Sequence, residues 1–393
     1  MNNNSSGSMK PTTKLQSQTW TPLRKLRETS DPTLICSLKS VPRLAKDETY
    51  AKDLLKFWNE EYEKDDKVTI DGANITENNT SHTNCDTGTS TSESTTKTTS
   101  ISSRRQLDTY GCIFPYEWND VELSGYLVVP SYLKDCNFEI SHKVPVVIMF
   151  HTGAGPQDIF NRFQADRMAR ESIWGDKGCI VFVADVLGDP VGWTWGDRGR
   201  YWDARTAVLE VTEKEGARQR FQLQQKLAAL MDSILCIDIV DAERIAAIGF
   251  CFGGQSILEF GRMRYNGILA LITFHGCFDG HELSDDHKQD GDDGNSNGKA
   301  NDGNTKWNEK TREVLICNAG HDPYVPASDL AGAKKIFQDA GWTTNVLHFE
   351  AAKHNFSNPR TQYDDPDAFG FDENASTTSW NATLSLLKRV FQL

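Results

Sequence analysis

The stretch Ile245-Ala246-Ala247-Ile248-Gly249-Phe250-Cys251-Phe252-Gly253-Gly254 decides the fold. An apolar run of strand length meets a G-x-C-x-G turn, and the next segment, Gln255 to Arg264, has helical character. Such a strand–turn–helix forces its central residue into a strained backbone conformation that lifts the side chain above a sheet, and only glycine-sized neighbours avoid collision. Cys251 therefore reads as a nucleophile, with the N-terminus of the following helix favouring thiolate over thiol. The plainer alternative, one more buried free thiol among nine cysteines, explains neither the glycines nor the position between strand and helix.

Working outward, Val144 to Phe150, Cys179 to Ala184, Leu269 to Phe274, Val314 to Cys317 and Val346 to Phe349 are further apolar runs of strand length. Between them lie helical patterns. Arg218 to Cys236 repeats Leu227, Leu230, Met231 and Ile234, while Ser328 to Ala340 carries Leu330, Ala333 and Phe337 with Ser328 as its expected N-cap and Gly341 past its end. Strands apolar on both faces and separated by helices predict a mostly parallel α/β sheet covered on both sides. Before them, Ile113-Phe114 and the alternating Val121 to Pro130 read as paired strands, so the folded domain spans 107–393.

A nucleophile of this kind needs a base and an orienting acid, in the chain order nucleophile, acid, histidine. Asp322 follows the strand Val314 to Cys317, and His354 follows Val346 to Phe349, so both emerge at the strand ends where Cys251 stands. Alone, Asp322 would read as a turn aspartate before Pro323 and His354 as a loop histidine. The other histidines fit less well, since His348 lies inside a strand, His82, His281 and His287 stand in or beside polar stretches, and His321 adjoins Asp322. Two backbone amides are expected to form an oxyanion hole: Phe252, next after the nucleophile, and Gly153 in the loop His151-Thr152-Gly153-Ala154-Gly155. That loop is not a dinucleotide fingerprint, because Asp158 stands where the third glycine belongs. His151, Thr152 and His275, at strand ends, are candidate pocket residues. So are Trp193, Trp195, Arg198 and Arg200, from a loop whose aromatics and arginines suit an apolar or anionic substrate or, equally, cap the sheet.

The chain has 393 residues, 42 Lys+Arg against 55 Asp+Glu and a formal charge of −13, which argues against nucleic acid or an anionic membrane as partner. No apolar run is long enough to span a bilayer. The cysteines lack any C-x-x-C pair, so neither structural zinc nor a redox dithiol motif is expected, and a reducing, cytoplasmic compartment follows. A basic, Ser/Thr-rich start up to Lys46 leaves an organelle as the alternative. From Asn74 to Ser103, seventeen of thirty residues are Ser or Thr, too polar to order; the segment 70–106 reads as a disordered linker behind a partly helical extension, 1–69. Ser284 to Lys306, with six Asp, four Gly and four Asn, reads as a disordered acidic insertion.

Together, Val121-Glu122-Leu123-Ser124-Gly125-Tyr126-Leu127, the turn around Cys251, Phe274-His275-Gly276, His321-Asp322-Pro323-Tyr324-Val325-Pro326 and His354-Asn355-Phe356-Ser357-Asn358-Pro359 resemble the dienelactone hydrolase family. The resemblance implies an α/β-hydrolase fold from about Tyr110 to Leu393. It also implies a Cys251–Asp322–His354 triad and hydrolysis of lactones or related activated esters without metal or organic cofactor. Two positions depart from the family pattern: Thr152 stands where the family has a glutamate that helps ionise the thiol, and Asn358 lies near the place of a substrate-binding arginine. The rival readings are a carboxylic ester or thioester hydrolase that does not act on lactones, and a non-catalytic binding protein that kept the fold. Oligomeric state is not legible.

Overall fold

The computed structural model describes residues 18–24, 49–61, 108–134, 143–188, 198–214, 217–281, 311–360 and 365–393. The linker 74–103 and the acidic segment 284–306 lie outside them. A nine-stranded sheet in the order β1-β2-β3-β5-β4-β8-β9-β10-β11 organises the chain. Its strands are β1 (Thr21–Pro22), β2 (Thr109–Trp118), β3 (Val121–Pro130), β4 (Val144–Phe150), β5 (Ile180–Ala184), β8 (Val240–Phe250), β9 (Ile268–Phe274), β10 (Glu313–His321) and β11 (Thr343–Lys353). From β5 through β4, β8, β9 and β10 to β11 every neighbouring pair is parallel, whereas β1, β2 and β3 pair antiparallel.

Alternate strand residues feed two cores. Val146, Ile148, Phe150, Ile180, Phe182, Ile245, Ala247, Val314 and Ile316 face one, with helices α4 (Phe221–Leu235), α5 (Gly253–Met263) and α6 (Ala327–Asp339) covering it. Val147, Met149, Val181, Val183, Ala246, Ile248, Phe250 and Cys317 face the other, under a helix over 49–61 (α1), α2 (Ile159–Arg170) and α7 (Glu373–Val390). Burial of both faces is why these strands read as continuous apolar runs.

Helix α1 docks on the domain rather than standing apart. Tyr50, Ala51, Leu54 and Trp58 are buried, the Trp58 ring meets Phe163 edge-on at 6.1 Å, and its Nε1–H donates to Asp166 at 2.8 Å. The N-cap of helix α6 lies two residues before the expected Ser328: Pro326 occupies it and makes no side-chain cap, while the Ser328 hydroxyl donates to Asp329. Pro326, with φ −60° and ψ 154°, already sets the extended geometry that a capping serine would otherwise stabilise. A short hairpin, β6 (Thr212–Lys214) with β7 (Ala217–Gln219), preceded by α3 (Arg198–Leu209), was not anticipated; its charged residues carry no alternating apolar pattern.

Candidate active site

Cys251 sits at the bend between β8 and α5 with φ 53°, a left-handed value that a cysteine adopts only under constraint. Glycines make the bend possible. A Cβ on Gly249 would lie 2.4 Å from the Gly253 carbonyl oxygen, and one on Gly253 would lie 2.6 Å from that of Phe150. The bend is pinned to the next strand, for Cys251 N–H donates to Phe274 O at 3.1 Å and Cys277 N–H donates to Cys251 O at 2.9 Å.

Two later strand ends deliver the partners. Asp322 follows β10 directly and His354 follows β11 directly. His354 Nδ1 lies 2.7 Å from Asp322 Oδ2, and its Nε2 lies 3.1 Å from Cys251 Sγ. The other Asp322 oxygen accepts the Tyr324 N–H at 2.9 Å, which fixes the carboxylate plane. The imidazole is enclosed by rings, with His275 and Tyr324 at 5.1 Å and Phe369 at 5.3 Å between centroids. Backbone bonds from His354 N to Ala368 O, 2.9 Å, and from Gly370 N to His354 O, 3.1 Å, clamp its main chain.

The charges of sulfur and imidazole support one another. A hydrogen bond from the Cys277 thiol, outweighing the opposing effect of burial, holds Cys251 well below the usual thiol range, helped by the His354 charge and by the Gly153 amide. Burial would lower His354, but the Cys251 thiolate and the Asp322 carboxylate raise it to about 10. Both shifts favour the thiolate–imidazolium form of the pair. Cys277, bonded to a thiolate and buried, is pushed well above the usual range and stays protonated.

The Gly153 N–H donates to the Cys251 sulfur. The Tyr201 ring limits this loop, since a Cβ on Gly153 would lie 3.0 Å from Tyr201 Cζ. Phe252 begins the turn into α5 next to the sulfur, its ring buried between His151 and Tyr201. His151 and His275 are both enclosed beneath the site: His151 Nδ1 lies 2.6 Å from Thr152 O, and His275 Nε2 lies 2.8 Å from Ser357 Oγ. Thr152 Oγ1 accepts the Ala154 N–H at 3.2 Å and so shapes the loop. Asn358 is buried and donates to Tyr50 Oη at 3.3 Å, which ties the loop after His354 to α1. Asp158, the residue that spoiled the dinucleotide pattern, is the N-cap of α2, accepting from Phe160 N–H at 3.2 Å. Arg200 is exposed on α3; Trp193, Trp195 and the Arg198 side chain lie outside the described residues.

Sequence reasoning passed over two contributors, Cys277 and Arg205, and placed Tyr201 only among the aromatics and arginines of the loop after Asp185. Cys277 lies just beyond β9, whose end aligns with that of β8, so the strand-end rule applied to every cysteine would have found it. Tyr201, facing Cys251 and Cys277, and Arg205, bonded to Asp279 beside them, come from α3, whose weak apolar pattern concealed that it packs against the site. Cys251, Cys277 and His354 present three metal-ligating atoms within 4.8 Å of one another, already hydrogen-bonded among themselves.

An elbow at the end of a central parallel strand, with helices on both sheet faces, is the layout of the α/β-hydrolase fold. Residues 134–391 match the model of the dienelactone hydrolase family, and the chain belongs to that family of hydrolases. It is 26% identical over 175 residues, 43% of this chain and 95% of the other, to uncharacterized protein K02A2.1 of Caenorhabditis elegans. Among solved structures, m3DLH is similar with a TM-score of 0.53 and 20% identity, covering 72% of this chain and 98% of its own. A dienelactone hydrolase-like promiscuous phosphotriesterase, P91, from metagenomic libraries matches with a TM-score of 0.51, 21% identity and the same coverages. Among the described residues no helix is long and apolar enough to cross a membrane.

Proposed function

We propose that the protein hydrolyses lactones or activated carboxylic esters through a thioester acyl-enzyme, with Cys251 as nucleophile, His354 as acid and base, and Asp322 as the orienting acid. The observation that carries this reading is the unbroken contact Asp322 Oδ2–His354–Cys251 Sγ, 2.7 Å on one side of the ring and 3.1 Å on the other. The thiolate adds to the substrate carbonyl while the Gly153 and Phe252 amides stabilise the oxyanion. Collapse expels the alkoxide, which takes the Nε2 proton of His354. The imidazole, now neutral, removes a proton from water as it attacks the thioester. Expulsion of sulfur releases the acid and restores the ion pair. In a lactone the leaving alcohol stays attached to the acyl group, and hydrolysis of the thioester releases a single hydroxy acid.

Cys251→Ala is expected to lower turnover of a p-nitrophenyl ester and a small lactone by roughly 10⁴-fold or more, with an unchanged circular dichroism spectrum. Turnover at the parental rate would reject the nucleophile. A second reading, hydrolysis of open-chain esters or thioesters but not lactones, is favoured by Thr152 and Asn358. Thr152 is engaged in its own loop, and Asn358 is buried against Tyr50. Comparing kcat/KM on a lactone, an open ester and an acyl thioester of matched acyl group separates the two.

A further inference from the structure

Beyond hydrolysis, we propose that Cys251 and Cys277 form a hydroperoxide-reactive dithiol that closes to an intramolecular disulfide. The two residues sit on adjacent loops at the ends of β8 and β9, and their backbones touch. Cys277 N–H donates to Cys251 O at 2.9 Å, and a Cβ on Gly254 would lie 2.7 Å from Gly276 Cα. A backbone bond between neighbouring chains of this kind places Cα atoms about 5 Å apart, within the ~4.4–6.8 Å that a disulfide requires. The two sulfurs already lie within 4.8 Å of each other, and each residue keeps some surface exposed although its thiol is largely desolvated. Both are free thiols in this structure.

Proximity selects this pair, and burial of other cysteines agrees with it. Burial pushes Cys112 and Cys317 up to about 12 and Cys179 well above the usual range, which leaves them inert as thiols. Cys251 is held as the thiolate, and it attacks one oxygen of the hydroperoxide: an S–O bond forms, the O–O bond breaks, and the departing alkoxide or hydroxide is protonated from water. The product is a Cys251 sulfenic acid. Its formation removes the negative charge that holds the Cys277 proton in place. The Cys277 sulfur then attacks the sulfenic sulfur; an S–S bond forms, the S–OH bond breaks, and the Cys277 proton leaves with hydroxide as water. Two electrons pass from the dithiol to the peroxide, which is reduced to an alcohol or, from hydrogen peroxide, to water. The disulfide removes the hydrolytic nucleophile until a thiol reductant restores it.

The full chain is treated with stoichiometric hydrogen peroxide in the presence of a chelator and read by intact mass, thiol titration and peptide mapping. The expected result is a loss of about 2 Da, two of the nine thiols, and a Cys251–Cys277 cross-linked peptide that dithiothreitol removes. Cys277→Ser given two equivalents of hydrogen peroxide is expected to gain about 32 Da on Cys251 as the sulfinic acid, without recovery by dithiothreitol. A wild-type chain with oxidised Cys251 and free Cys277, a cross-link to another cysteine, or no reaction at Cys251 overturns the proposal. If the variant does not fold, the wild-type peptide map decides alone. Because the readout is mass, a chain that forms the bond but hydrolyses no ester rejects only the hydrolytic reading, and an active hydrolase without the bond rejects only the dithiol.

Discussion

At Cys251 a strained backbone, a thiol donor and an imidazolium meet on one sulfur, and each leaves a measurable trace. The acid limb of kcat/KM reports protonation of the thiolate, and the alkaline limb reports loss of the His354 proton that the leaving oxygen needs. Activity is therefore expected to rise as pH climbs through the depressed thiol value, hold across neutrality, and fall with an apparent pKa near 10 that belongs to the coupled pair. An alkaline limb near the ordinary histidine value would contradict the ion pair. Cys277→Ala removes the bond that contributes most to holding Cys251 down, so the pH profile of iodoacetamide alkylation at Cys251 is expected to shift to higher pH. Asp322→Asn keeps the shape of the carboxylate but not its charge, and kcat is expected to drop roughly 10⁴-fold with the melting temperature little changed.

Elements set where those residues can stand. The bend between β8 and α5 works because its glycines let backbone atoms touch, as with Gly253 against Phe150. Gly253→Ala would press a methyl group into β4 backbone and is expected to cost about 1–3 kcal/mol in a denaturant melt, with loss of esterase activity greater than the loss of stability explains. The docking of α1 rests on Trp58, which is wholly buried and bonded to the equally buried Asp166. Trp58→Ala is expected to destabilise by about 3–5 kcal/mol. A change under 1 kcal/mol would mean that α1 contributes little to the domain. Element boundaries were only partly legible. Runs such as Val144–Phe150 announced themselves because both faces are buried, but β11 extends past its apolar centre into residues paired along the ladder with β10, which any side chain permits, and β8 begins at Val240, five residues before Ile245, across a register shift against β4.

For the whole molecule, the acidic segment 284–306 is expected to weigh little on the stability of the sheet. Loop-closure entropy grows with the logarithm of length, so replacing 284–306 by a short Gly/Ser linker is expected to change stability by less than about 1 kcal/mol and to leave ester turnover unchanged. A collapse of the melting temperature would show that the acidic segment is part of the fold. The amino-acid order alone determined the mostly parallel architecture and nominated Cys251, Asp322 and His354, because strand period, glycine spacing and strand-end position are local signals that survive without coordinates. Only the tertiary structure decided that Cys277 bonds to Cys251, that Tyr201 from α3 faces both cysteines, and that α1 reaches the loop after His354 through Tyr50 and Asn358. Those contacts join segments tens to hundreds of residues apart, and no local periodicity encodes which side chains meet once two loops are brought to the same edge of a sheet.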